Sequence, residues 1–196
     1  MAEPSAMYGT RLFDRPKHAE VKRSLLAFVG RPGPLGLEIG FDHGMCVLDR
    51  ARSFPTFNQL GVELRQARVE AAAANAPDNC LLLRMDGRTL VTALLPDASI
   101  DWLYILFPTP PTSPKRALLT PAFAGSVHRV LRPGGCLWFA TDRPELAALI
   151  DELFPWPTAA APPPLGGQLS RRERVCRRDE ITVSRRCLAR PVPTVT

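Results

Sequence analysis

Three features of the chain predict an α/β fold built on a doubly wound, mostly parallel sheet. Five short apolar runs recur between helical stretches from residue 35 onward, and each is apolar nearly throughout. Such runs suit strands buried on both faces, because helices cover both sides of a parallel sheet. Near residue 155 the pattern changes, and two further strand-like runs predict an antiparallel hairpin at the sheet edge.

Residues 1–34 read as an arm and a helix. After an irregular start, residues 16–28 carry Val21, Leu25, Leu26 and Phe28 at helical spacing, and Arg31-Pro32-Gly33-Pro34 ends the helix. Two prolines and a glycine cannot continue one. The strands are expected at 35–40, 57–63, 79–85, 101–107 and 136–141. Helices are expected between and after them, at 45–53, 64–75, 89–94, 121–131 and 144–154. Residues 155–170 form a Pro-rich linker, with five prolines before Gly167, and should run extended over the surface. Residues 171–178 and 180–188 are expected to pair as the closing hairpin, within 171–190.

At 196 residues the chain suits one domain, and 45% apolar residues suffice for a core. No run is long and apolar enough for a membrane helix, and no signal peptide is read, so no membrane partner is expected. The five cysteines are odd in number and form no C-x-x-C pair. Neither a metal site nor a disulfide framework is therefore expected, and the reducing cytoplasm is the expected compartment. Net charge is +6, and it is segregated. Residues 1–31 carry six basic and three acidic side chains, and residues 171–190 carry eight arginines against three acids, whereas the middle is slightly acidic. Either this marks phosphate-binding ends, or it reflects a GC-rich genome that raises Arg, Ala and Pro together.

The strongest local signal is Leu37-Glu38-Ile39-Gly40-Phe41-Asp42-His43-Gly44, where the first strand turns into the first helix of the sheet. Gly40 and Gly44 would let backbone pass close to a ligand at that helix N-terminus. Glu63 ends the second strand, where a carboxylate can accept both hydroxyls of an adenosine ribose. Asp86 ends the third, where it could meet an adenine amine. Together the three acids Glu38, Glu63 and Asp86 point into one crevice at the carboxyl edge. The G-x-G-x-x-G of nicotinamide dinucleotide proteins is absent.

These residues belong to a longer series of matches: LEIGFDHG, FNQLGVEL, LLLRMDGRTL, PDASIDWLYILFPTP and RVLRPGGCLWFATD, in order. On them the chain resembles the tRNA guanine-N7 methyltransferases, enzymes of Rossmann-like fold that use S-adenosylmethionine. The resemblance implies that residues 35–196 are the methyltransferase domain, with Glu38, Gly40, Gly44, Glu63 and Asp86 holding the cofactor. It also implies that Asp142, Ser170 and Glu173 face the guanine, Asp142 acting in catalysis, and that Lys115 and Arg116 touch tRNA. Ser170-Arg171-Arg172-Glu173 falls where the family carries Thr-x-Phe-Glu. The chain departs from the family after strand four. Thr109 stands at the position of the family's catalytic Asp, Pro111 replaces its Trp, and of its basic run only Lys115-Arg116 remains.

Several residues have a plainer reading as well. Asp142 suits the N-cap of the helix starting near Pro144, Glu173 suits pairing with neighbouring arginines, and His43 suits a surface loop. Trp102, Tyr104, Trp138 and Phe139 suit the core. Methyl transfer to guanine N7 of tRNA leads. Two alternatives stay open: transfer to a small nitrogen heterocycle by the same cofactor half, and a non-catalytic member that binds RNA or protein.

Overall fold

A computed structural model of the chain describes residues 16–110 and 117–192. Helix α1 (Pro16–Val29) precedes the alternating core, which runs β1 (Leu35–Ile39), α2 (Met45–Ser53), β2 (Asn58–Glu63), α3 (Gln66–Ala73) and β3 (Cys80–Arg84). A short helix α4 (Gly87–Thr89) widens into a π-helical turn (Leu90–Leu94). Then follow β4 (Ile100–Leu106), α5 (Pro121–Val130), β5 (Leu131–Thr141), α6 (Pro144–Leu153), α7 (Arg171–Arg178) and β6 (Ser184–Ala189). The six strands lie in the order β3-β2-β1-β4-β5-β6. The first five are parallel, and β6 runs antiparallel to β5. All five parallel strands lie where the apolar runs predict them.

Alternation along each strand sends side chains to opposite faces. On one face Leu37, Ile39, Leu60, Val62, Leu103, Ile105, Leu137 and Phe139 join Leu25 and Phe28 of α1, Leu90 and Val91, and Phe123 and Val127 of α5. On the other, Val47, Leu48 and Ala51 of α2 and Val69 and Ala72 of α3 pack with Phe41, Cys80 and Leu82.

The expected closing hairpin is not formed. Residues 171–178 are helix α7, and β6 pairs with β5 instead, Leu137 opposite Leu188. The reason lies in Ser170-Arg171-Arg172-Glu173, a capping-box sequence. The Ser170 hydroxyl accepts the Glu173 backbone N–H at 3.1 Å and opens the helix. Arginine is a good helix former, and the buried Cys176 anchors the one face that needs burial.

Residues 155–170 cover the sheet edge. The Ala189 N–H donates to the Pro157 carbonyl (2.9 Å), and the Ala159 N–H to that of Cys187 (2.8 Å). Otherwise β6 would expose a row of unpaired backbone groups. Farther along, the Tyr104 hydroxyl donates to the Pro164 carbonyl at 2.8 Å. Asp49 accepts the N–H groups of Gly167 and Gln168 at 2.7 and 2.9 Å.

Under this strap lies a buried ion pair. Arg50 of α2 is 1% exposed and Glu38 of β1 is 3% exposed, and the Arg50 guanidinium donates to the Glu38 carboxylate. The same guanidinium reaches Gln59 Oε1 at 3.3 Å and sits 3.9 Å from the Tyr104 ring centroid. Burial works against the Arg50 charge, but Glu38 outweighs it and keeps the group protonated. Removing one partner leaves the other charge buried alone. Arg50→Met should therefore lower unfolding stability by about 3–5 kcal/mol in urea titrations. The Arg50→Met/Glu38→Gln double variant should recover a large part of that loss. A single variant as stable as the wild type would show that the pair is dispensable.

Candidate functional site

The strand order reverses between β1 and β4, and in open α/β sheets ligands bind at that switch point, beyond the carboxyl ends of the strands. There the chain forms a crevice of about 700 Å³, within the usual range for small-molecule sites. Glu38, Gly40, Glu63 and Asp86 all line it, so the structure brings the three strand-ending acids together as the sequence expects.

Each acid is held differently. Glu38 faces the crevice with Arg50 as its buried counter-ion. Glu63 Oε1 accepts the backbone N–H groups of Leu64 and Arg65 at 2.8 and 3.0 Å, and Oε2 that of Asp42 at 3.2 Å. A carboxylate offers about four lone-pair sites, so Glu63 is fixed in place with acceptor capacity to spare. Asp86 caps α4, its Oδ1 accepting the Thr89 N–H at 2.9 Å. Arg68, which no sequence pattern singles out, pairs with Asp42 at 2.5 Å and stands 3.8 Å from Glu63.

The two glycines of the first turn do different work. Gly40 has φ +75°, and a Cβ there would meet no atom within 4 Å, which leaves the crevice open beside the backbone. Gly44 does not line the crevice. Its φ is +79°, and a Cβ would lie 2.8 Å from that of Ala72, so this glycine lets α2 start against α3. Asp42 and Phe107 are non-glycine residues with φ of 54° and 50°, and both line the crevice. Such strained backbone clusters at functional sites. His43 is half-exposed at the rim.

The opposite end of the crevice is built from Leu106, Phe107, Pro108 and Thr109 after β4, together with Leu118 and Ser170, Arg171, Arg172 and Val175 of the α7 region. All the acids that line the crevice, Glu38, Asp42, Glu63 and Asp86, come from the β1–β3 side. Among the described residues the far end carries none. Asp142 is not a lining residue and caps no helix, since Arg143 is the N-cap residue of α6 and makes no side-chain cap bond. Instead its Oδ2 accepts both Nε (3.0 Å) and a terminal nitrogen of Arg172. Glu173 lies away from the crevice, paired with Arg185 of β6 beside a cavity of about 270 Å³. Lys115, Arg116 and Pro111 fall outside the described residues.

The sequence marks Arg171 and Arg172 as part of a basic, phosphate-binding end, but the strand expected there hides their place on a helix lining the crevice. The capping-box spacing from Ser170 to Glu173 was the signal that could have placed them on a helix at the crevice mouth. Among the described residues no cluster of His, Cys, Asp and Glu could hold a metal ion, all five cysteines are free thiols, and no helix is long and apolar enough to cross a membrane.

A crevice at the switch point, acids at the ends of its first three strands and an antiparallel closing strand place the chain in the Rossmann-like methyltransferase class. A family model described as "Putative methyltransferase" matches residues 32–155, and the chain belongs to that family. It is similar to the tRNA (guanine-N(7)-)-methyltransferase of Limosilactobacillus fermentum, at 37% identity over 119 residues, covering 57% of this chain and 55% of the relative. The enzyme of the same name from Saccharophagus degradans is 32% identical over 143 residues, covering 69% and 59%. The chain spans about half the length of the curated relatives it matches. Among solved structures, the 16S rRNA methyltransferase KamB superposes with a TM-score of 0.58 at 20% identity, over 91% of this chain and 94% of that one. The aminoglycoside resistance methyltransferase NpmB1 does so with 0.58 at 16%, over 86% and 92%. These two share the fold.

Partial burial pushes the Asp142 carboxyl up, but the Arg172 hydrogen bonds, its own backbone amide and the charges of Arg172 and Arg143 outweigh it and hold it below the usual carboxylate range. A depressed native pKa stabilises the fold above the unfolded value, and the contribution is lost as pH falls through the native midpoint. A carbon-detected NMR titration should find the Asp142 midpoint below that of a free aspartate, and Arg172→Gln should move it upward. A midpoint indifferent to Arg172 would mean that the pair does not persist in solution.

Proposed function

We propose that the protein is an S-adenosylmethionine-dependent methyltransferase that acts on guanine N7 of tRNA in the cytoplasm. The observation that carries the reading is the convergence of Glu38, Glu63 and Asp86 on one crevice whose far end holds no acid among the described residues. The donor set fits the cofactor. Glu63 keeps one acceptor site, on Oε2, for a ribose hydroxyl, Asp86 lines the crevice after β3 with a free oxygen for an adenine amine, and Gly40 leaves space beside the backbone. When bound, S-adenosylmethionine supplies a methyl group on a sulfonium. The substrate assignment is supported by the names of the relatives.

Guanine N7 is an unprotonated lone pair, so its methylation needs no general base. The chain's task is to hold acceptor and donor in line, which supplies most of the rate, and to keep water out with the apolar wall of Leu106, Phe107 and Pro108. The purine gains positive charge as the methyl arrives, and a carboxylate nearby stabilises that charge. Thr109 offers only a neutral hydroxyl, which leaves Asp142, bonded to the crevice-lining Arg172, for that task. One observation favours transfer to a small nitrogen heterocycle as a second reading: the far end lacks a carboxylate among the described residues.

Incubation with labelled methyl donor and the host's tRNA or, separately, its small-molecule extract tests the proposal. Label should enter tRNA. Label confined to the extract would establish the second reading, and label in neither would leave a binding protein. Thr109→Asp should raise the tRNA rate, since one such electrostatic group is typically worth about 100- to 1,000-fold. An unchanged rate would show that position 109 does not face the acceptor. Independently, Glu63→Ala should weaken S-adenosylmethionine binding in calorimetry by about 1.5–3 kcal/mol, the value of a charge-assisted hydrogen bond. No heat from the wild type at millimolar ligand would refute the cofactor assignment.

A further inference from the structure

The Arg172–Asp142 pair has an asymmetry that the proposed reaction does not use. Arg172 lines the crevice with its side chain 46% exposed, while Asp142 is 11% exposed and does not line it. Any molecule entering the far end therefore meets the guanidinium before the carboxylate. Both donors of Arg172 converge on the single oxygen Oδ2. That geometry leaves the planar fork unmatched, for a guanidinium bonds best to two oxygens in parallel. A phosphate offers those two oxygens and more charge. Arg171 stands beside it, exposed, lining the same crevice, with no partner among the described residues. The pair is open to water on its guanidinium side, where a competing anion can reach it.

We propose that Arg172 guards Asp142 and releases it to a guanine base only when a phosphate of the same polynucleotide takes over the guanidinium. The inference rests on the guanine reading above and deepens it. While Arg172 holds Asp142, a lone base finds, among the described residues, no carboxylate at the far end for its N1–H and exocyclic amine. When the phosphate next to the target nucleotide docks on Arg171 and Arg172, the fork turns from carboxylate to phosphate and Oδ2 becomes available. Arg172 is thus a positioning and specificity residue. It makes guanine recognition conditional on the polyanion that carries the base, and free guanine compounds of the cell are refused.

Binding rather than turnover gives the test. Wild-type protein and Arg172→Gln, each saturated with S-adenosylhomocysteine, are titrated with guanosine and with guanosine 3′,5′-bisphosphate. The wild type should prefer the bisphosphate by about tenfold or more, the scale of one charge-assisted contact. In Arg172→Gln the preference should collapse, in part because guanosine binds more tightly than to the wild type, a gain that general damage to the fold would not produce. Adding Asp142→Asn should abolish that gain. Equal affinities in the wild type, a preference that survives Arg172→Gln, or a gain that survives Asp142→Asn would overturn the guard. The labelling experiment separates the two levels. Label in tRNA with an unchanged binding ratio sinks the guard alone, whereas absence of label from tRNA sinks the guanine reading and the guard with it.

Discussion

The crevice depends on the Glu38–Arg50 ion pair beneath it. Glu38 is the last polar residue of β1, and its carboxylate would be a buried, unpaired charge without the guanidinium that α2 sends under the strand. That guanidinium also bonds Gln59 of β2 and stacks on Tyr104 of β4, so one side chain ties together a helix and the three central strands. Tyr104 in turn holds the linker at Pro164, and Asp49, next to Arg50 in sequence, holds it at Gly167 and Gln168. The linker then delivers Ser170 and α7 to the crevice mouth. A buried ion pair is a poor source of net stability, because desolvation offsets most of its attraction. Here it fixes position: the floor of the crevice and the strap that closes its far side share one anchor.

From that anchor the crevice divides by where its acids stand. Among the described residues the β1–β3 side carries all the lining acids, interspersed with Arg65, Arg68 and Arg88, and the α7 side carries Arg171 and Arg172 without an acid. An adenosyl group, with hydroxyls and an amine to donate, suits the first half. A polyanion suits the second. Thr109 and the Arg172–Asp142 pair belong to the second half, and Glu38, Glu63 and Asp86 to the first.

The parallel sheet was legible because β1 to β5 are short, apolar on both faces and separated by helical spacing. The acids that end β1, β2 and β3 were legible for a related reason: an acid closing an apolar strand stands at the carboxyl edge. Residues 171–178 were not legible as a helix, since five arginines in eight residues leave only Val175 and Cys176 as apolar positions. The capping box was the local mark of a helix there, in a stretch that the resemblance assigns to substrate. Arg50 was hidden more thoroughly. Nothing in Met45–Ser53 distinguishes it from Arg52 two residues on, yet one is buried beneath the crevice and the other bonds the Asn75 carbonyl at the surface. Only the three-dimensional neighbour Glu38 separates them. The edge pairing of residues 157–159 was likewise invisible, because a Pro-rich segment gives no strand signal until an unpaired edge lies beside it.

A crystal structure with S-adenosylhomocysteine would test the common footing of fold and function most directly. The ligand should lie over β1 to β3 with its ribose hydroxyls on Glu63 and its adenine amine toward Asp86, and Glu38 should remain bonded to Arg50 beneath it. A ligand bound elsewhere, or one seated in the crevice with Glu38 drawn away from Arg50, would contradict the view that this buried pair sets the floor of the site.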